Sequence, residues 1–215
     1  MQKISSFISW LFLPFLTPFY ALLIALYLPI NATSFVMYDS LYLLDPKIKL
    51  LFLLLFGVFI VIAPCFSLFV MKKNGMIQSF SLENREERNS PIAIMMMYCL
   101  VLFFFLHFQA EGAYIPSIIK AMVLGGAIAA GGAYFINRSM KISLHGIGMG
   151  AFFGFIYMFS LSLEEIPLFL IISILLLGGI VMSARLILNA HTLKEVGYGY
   201  LLGFVTQVVC ILIYM

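Results

Sequence analysis

The sequence predicts an all-α protein, a polytopic transmembrane helical bundle of about seven spans that forms one domain over residues 1–215. Three observations predict it. Of the residues, 64% are hydrophobic and 10% charged, against roughly 25% charged in an average soluble domain, which excludes a water-soluble globule. Seven stretches of roughly 18 to 23 mostly apolar residues recur, each long enough to cross a hydrocarbon core of about 30 Å as a helix. Most connections between them are short, so almost nothing is left for a soluble part.

The first span, Phe7 to Tyr27, is too long for a removable signal peptide and no small-residue cleavage site follows it, so it is expected to stay in the mature protein. Pro29 to Lys49, with Tyr38, Asp39, Asp45 and Pro46, reads as an interfacial segment, and Leu50 to Met71 as the second span. Lys72 to Pro91 is the most polar stretch and the place where chemistry is expected. The third and fourth spans are Ile92 to Phe108 and Ile115 to Phe135. In the fourth, Gly125-Gly126-Ala127 and Ala129-Ala130-Gly131-Gly132-Ala133 offer small residues that let helix backbones approach closely. The fifth, Gly146 to Leu163, repeats that with Gly146, Gly150 and Gly154; no strand precedes these glycines and a nucleotide-binding spacing is absent, so they read as helix packing. Leu168 to Leu188 and Val196 to Tyr214 complete the set. Cys65, Cys99 and Cys210 lie in apolar spans without CxxC spacing or a neighbouring histidine, and read as small packing residues. The triplet Asn31-Ala32-Thr33 is a formal glycosylation sequon that carries no weight alone.

A net charge of +3, with no basic block beyond Lys72-Lys73, excludes nucleic acid as a partner. The lipid bilayer is the partner that composition demands, and multi-pass residence in a cell (inner) membrane is the expected location.

Ionisable groups at membrane depth are expensive, so those near helix ends are functional candidates by default. Three clusters qualify: Glu83 to Pro91 before the third span, Arg138 to His145 before the fifth, and Ser183-Ala184-Arg185 with His191 and Glu195 between the sixth and seventh. Two spans separate each cluster from the next, so an even number of crossings returns the chain to the same face each time. Arg85, Arg88, Lys141, Ser143, His145, Arg185, His191 and Glu195 therefore gather in one layer at headgroup depth. Guanidinium groups match phosphate oxygens bidentately and stay charged. One imidazole can attack phosphorus if a carboxylate fixes its tautomer, and a second can protonate the leaving oxygen. His191 and Glu195, four apart, share one helix face.

Ser183-Ala184-Arg185, five residues, His191, three residues and Glu195 resemble the third signature of the type 2 phosphatidic acid phosphatase superfamily, Ser-Arg-x5-His-x3-Asp. Ala184 separates the Ser and Arg that the signature places side by side. Gly197-Tyr198-Gly199-Tyr200-Leu201-Leu202-Gly203 is similar to the small-residue helix that follows it in the family. Ile142-Ser143-Leu144-His145 keeps the Ser and His of the second signature, Pro-Ser-Gly-His. The first, Lys-x6-Arg-Pro, has Glu83 and Ser90 in its Lys and Arg positions before Pro91, with Arg85 and Arg88 nearby. The resemblance covers residues 82–202. It implies a lipid phosphatase or pyrophosphatase acting on a polyprenyl pyrophosphate, phosphatidic acid or phosphatidylglycerol phosphate, without a metal or other cofactor, through a phosphohistidine. It further implies His191 as nucleophile, Glu195 as its orienting acid, His145 as leaving-group acid, and Arg185 and Ser143 as phosphate ligands. Arg85, Arg88 and Lys141 join them on chemical grounds. An extra helical hairpin between the first and second signatures departs from the family's six-span plan.

Two other readings stand beside this one. A phosphotransferase or a relative that binds lipid phosphate without hydrolysis fits the eroded first signature. A small permease or membrane assembly protein fits the Gly-rich fourth span and His107, Gln109 and Glu111 near the opposite face. Lys and Arg divide nine to three in favour of the motif face, which formally makes that face cytoplasmic, whereas the resemblance implies an outward-facing or lumenal site.

Overall fold

Long helices form where the apolar runs are uninterrupted, and they bend or break where proline intervenes. The computed structural model describes residues 1–29, 41–80, 82, 84–108, 115–163 and 165–214, and within them the chain forms nine α-helices. These are α1 (Gln2–Leu11), α2 (Thr17–Tyr27), α3 (Pro46–Phe56), α4 (Ala63–Lys73), α5 (Asn89–Phe108), α6 (Ser117–Ile136), α7 (Leu144–Leu161), α8 (Leu168–Ile187) and α9 (Leu193–Tyr214). The protein is an all-α polytopic bundle. Among the described residues six spans are long and apolar enough to cross a membrane: Pro46–Lys73, which joins α3 and α4, Glu86–Phe108 with α5, and α6, α7, α8 and α9.

The seventh expected span is the correction. Phe7 to Tyr27 is divided between α1 and α2, because Pro14 disfavours helical geometry at Leu13 and has no N–H to offer Trp10. Thr17 ties the break together by donating from Oγ1 to the Pro14 carbonyl at 2.9 Å, and Pro18 starts α2. Ser5 and Ser9 of α1 are buried while Ile4, Phe7 and Trp10 are exposed, so the short helix turns its polar side to the protein.

Proline acts differently at residue 64. It cannot donate to the Ile60 carbonyl four residues back, and the segment Gly57–Ile62 is π-helical, with the Ala63 N–H closing on Val58. The span bends without breaking. Its start precedes the expected Leu50 because the Asp45 carboxylate caps α3 through the Lys47 N–H at 2.7 Å.

The centre is α7, where 67% of the span is buried, against 22% of α8 and 17% of Pro46–Lys73. A Cβ on Gly150 would fall on the Tyr200 carbonyl, and one on Gly203 on the Ile147 carbonyl. These glycines let α7 and α9 meet backbone to backbone, the packing role expected of the fifth-span glycines. As a result the starts of the two helices lie side by side, and the Ser143 N–H donates to the Glu195 carbonyl at 3.2 Å. Cys99 and Cys210 are buried, whereas Cys65 is exposed. Of the expected interfacial segment, Tyr38 and Asp39 lie outside the described residues, as do the 31–33 sequon, Glu83, Gln109 and Glu111.

Candidate functional site

The third cluster is built from two helix ends. α8 closes with Asn189 in the left-handed region (φ +50), the Ala190 N–H bonding the Arg185 carbonyl at 3.2 Å and the Asn189 N–H bonding Leu186 at 2.9 Å. This 6→1 and 5→2 pair is a Schellman turn, for which Asn is one of the few tolerated residues. The five-residue spacing between Arg185 and His191 is therefore a helix stop followed by a helix start. α9 begins with a capping box: Thr192 Oγ1 accepts from the Glu195 N–H at 3.4 Å and Glu195 Oε2 accepts from the Thr192 N–H at 3.1 Å.

The same Oε2 lies 2.9 Å from His191 Nδ1. A carboxylate can only accept, so Nδ1 carries the proton and Nε2 presents a lone pair. His191 is buried. Burial holds its imidazole well below the ordinary titration range; Glu195 pulls the other way, and the Arg88 and Arg185 charges reinforce burial. Near neutral pH it is an uncharged base with an available nitrogen.

His145, in the first turn of α7, has Nε2 at 3.0 Å from the Ser9 carbonyl. That carbonyl is in the last turn of α1, where the break at Pro14 leaves it no helical partner. It too can only accept, so the His145 proton resides on Nε2. Arg88 is 3% exposed; its Nε donates to the Leu82 carbonyl at 2.6 Å and its Nη1 to the Ile142 carbonyl at 3.1 Å. Leu82 holds a left-handed backbone (φ +51), a conformation sparsely populated by side-chain-bearing residues.

Arg88, Arg185, His145 and His191 line one cavity, with about 1270 Å³ of empty space including its open mouth. Four of the eight expected site residues thus share a wall, and Glu195 stands behind His191. The other three do not line it. Ser143 is fully buried and serves as the α7 N-cap, accepting from the Gly146 N–H at 3.2 Å. Arg85 is exposed and donates to the Ser139 carbonyl at 3.0 Å. Lys141 is half-buried away from the cavity. Ser183 is exposed, since the intervening Ala184 places it more than half a helical turn from Arg185.

Sequence reasoning missed Thr192, although its Thr-x-x-Glu pattern announces a capping box. It also missed Asn137, which is buried and joins the first two clusters through Nδ2 to the Arg85 carbonyl at 2.9 Å and to Asn89 Oδ1 at 2.8 Å. Two guanidinium groups, an unprotonated imidazole nitrogen and a second imidazole facing one cavity form a set able to bind and attack a phosphate. Among the described residues no three His, Cys, Asp or Glu side chains converge as metal ligands would. No protein-family model matches the chain, and neither a curated protein nor a solved structure matches it significantly.

Proposed function

We propose that the protein is a membrane lipid phosphatase or pyrophosphatase that cleaves its substrate through a phosphohistidine. The observation that carries this reading is the cavity shared by Arg88, Arg185, His145 and His191, with Glu195 on His191 Nδ1. The resemblance of Arg185, His191 and Glu195 to the third phosphatase signature supports it. Arg88 and Arg185 hold the phosphate oxygens. His191 Nε2 attacks phosphorus; the P–N bond forms as the bond to the leaving oxygen breaks, and that oxygen takes a proton from Nδ1 of His145, which takes up this second proton when the anionic phosphate binds beside it, Nε2–H staying on the Ser9 carbonyl. Water then attacks phosphorus, returns a proton to His145 and breaks the P–N bond, releasing inorganic phosphate and His191; with a pyrophosphate substrate the lipid monophosphate is the group that leaves in the first step. The Ser9 carbonyl steadies His145 through both steps by accepting from Nε2. No metal is needed for this balance.

The test is phosphate release by purified protein in detergent with EDTA, offering a polyprenyl pyrophosphate, phosphatidic acid and phosphatidylglycerol phosphate. Release that survives EDTA and vanishes in His191→Ala is the expected result. Release that persists in His191→Ala refutes the nucleophile. A second reading, binding of lipid phosphate without hydrolysis, is favoured by the two carbonyls that already engage Arg88; it predicts saturable lipid binding with no release.

A further inference from the structure

The cavity continues far below its cationic end, and its remaining lining is overwhelmingly apolar. Arg88 marks the top and Cys99 is also part of the lining; the eleven steps between them along one helical span, at about 1.5 Å each, give roughly 16 Å of depth, about half of a ~30 Å hydrocarbon core. Space exists there for two reasons. On one side α6 presents Ala129, Ala130 and Ala133, whose side chains end at Cβ. On another, Pro64 and the π-helical bend at Ile60 line it where the Pro46–Lys73 span departs from regular geometry. Gly126 and Cys99 meet at the deep end: a Cβ on Gly126 would lie 3.7 Å from Cys99 Sγ, ordinary contact, so no further room separates α5 from α6 at that point.

We infer that this apolar extension is a slot for one hydrocarbon tail of the lipid phosphate, floored by Cys99 and Gly126, so that the protein selects substrates by tail length. The inference rests on the phosphate-binding reading of the cationic end. The occupant is the substrate's own tail because the slot opens onto Arg88 and Arg185, which favour a chain carrying an anionic head over a neutral membrane lipid. An extended dodecyl chain is about as long as the slot; shorter tails leave the floor empty, and longer ones must turn out toward the bilayer.

The experiment uses the full chain in detergent and two photoreactive probes, dodecyl phosphonate with a diazirine at the tail end and butyl phosphonate with a diazirine at its end. Neither can be hydrolysed. Mass spectrometry of the irradiated protein is expected to place the dodecyl label on peptides containing Cys99 or Gly126, displaced by excess unlabelled dodecyl phosphonate but not by dodecanol. The butyl label is expected close to Arg88. Dodecyl label scattered over the bilayer-facing residues of α3 and α8, or displaced equally by dodecanol, overturns the slot. Turnover of the matching alkyl phosphates supplies a second measurement. Gly126→Leu removes room for about two tail carbons, and the dodecyl-to-octyl turnover ratio is expected to fall about tenfold, since each buried methylene counts for about 0.8 kcal/mol; an unchanged ratio in the folded variant also overturns it. Deep labelling without phosphate release keeps the slot and removes hydrolysis, whereas release with scattered labelling removes the slot and keeps hydrolysis.

Discussion

Glu195→Gln separates the chemistry of the site from its architecture. One carboxylate oxygen accepts from His191 Nδ1 at 2.9 Å and from the Thr192 N–H at 3.1 Å. Glutamine is accepted at this position of a capping box, so its amide oxygen can keep the α9 cap while the negative charge is lost. A hydrogen bond to a charged partner is worth about 1.5–3 kcal/mol net and a neutral one about 1, so the variant forfeits roughly 0.5–2 kcal/mol. That loss falls on the step in which His191 gains positive character, and it corresponds to about a 2- to 30-fold lower kcat. The assay is steady-state phosphate release in EDTA at saturating lipid phosphate, with thermal unfolding of the same preparation. Thr192→Ala is the control for the cap: it is expected to cost about 1 kcal/mol of stability and less rate than Glu195→Gln. A Glu195→Gln rate indistinguishable from wild type, or a larger rate loss in Thr192→Ala, refutes the assignment of Glu195 as the group that orients His191.

Activity is expected to hold well below pH 6.5, because burial keeps His191 neutral past the ordinary imidazole range of about 6.5; Arg185→Gln, by removing a neighbouring positive charge, is expected to move the acid limb of the kcat–pH profile upward. Between the folded pKa of His191 and about 6.5 the unfolded chain binds more protons, so stability measured by thermal unfolding falls as pH drops through that window. Ser143→Ala is expected to lower stability by about 1 kcal/mol through loss of the α7 cap, without the rise in KM that loss of a phosphate ligand gives. Gly203→Ala drives a methyl into the Ile147 carbonyl and is expected to cost about 1–3 kcal/mol by overpacking, while Gly179→Ala, with open space around it, leaves the melting temperature nearly unchanged. Arg88→Gln strips two buried carbonyls of a charged donor and is expected to cost about 3 kcal/mol, against no more than about 0.5 for exposed Arg85→Gln.

The helical bundle was legible because hydropathy alone identifies spans, and the shared face of the clusters was legible because the parity of crossings tolerates misplaced helix ends. The Arg185, His191 and Glu195 group was legible because it is local: a helix stop and a helix start set its spacings. Arg88 and Arg85 were not distinguishable, since the choice between them depends on the left-handed backbone at Leu82 and on the Ile142 carbonyl, 54 residues away in sequence. Ser143 was misleading for a related reason, as a serine two residues before a histidine has the same letters whether it binds a ligand or caps a helix. The broken first span escaped because apolar content averages over Pro14 and Pro18. His145's partner left no trace at all, being a backbone oxygen 136 residues away. Glu where the family signature has Asp acquires a reason, since a capping box uses Glu or Gln at that position.

The contact between His145 and the Ser9 carbonyl has an experimental consequence. A peptide oxygen survives every side-chain replacement, so Ser9→Ala would leave it in place and an alanine scan would pass over it as silent. What would disturb it is displacement of α1 itself, as by a proline set into that helix, which would move a peptide oxygen away from a proton on His145 while every side chain of the site stayed as it was.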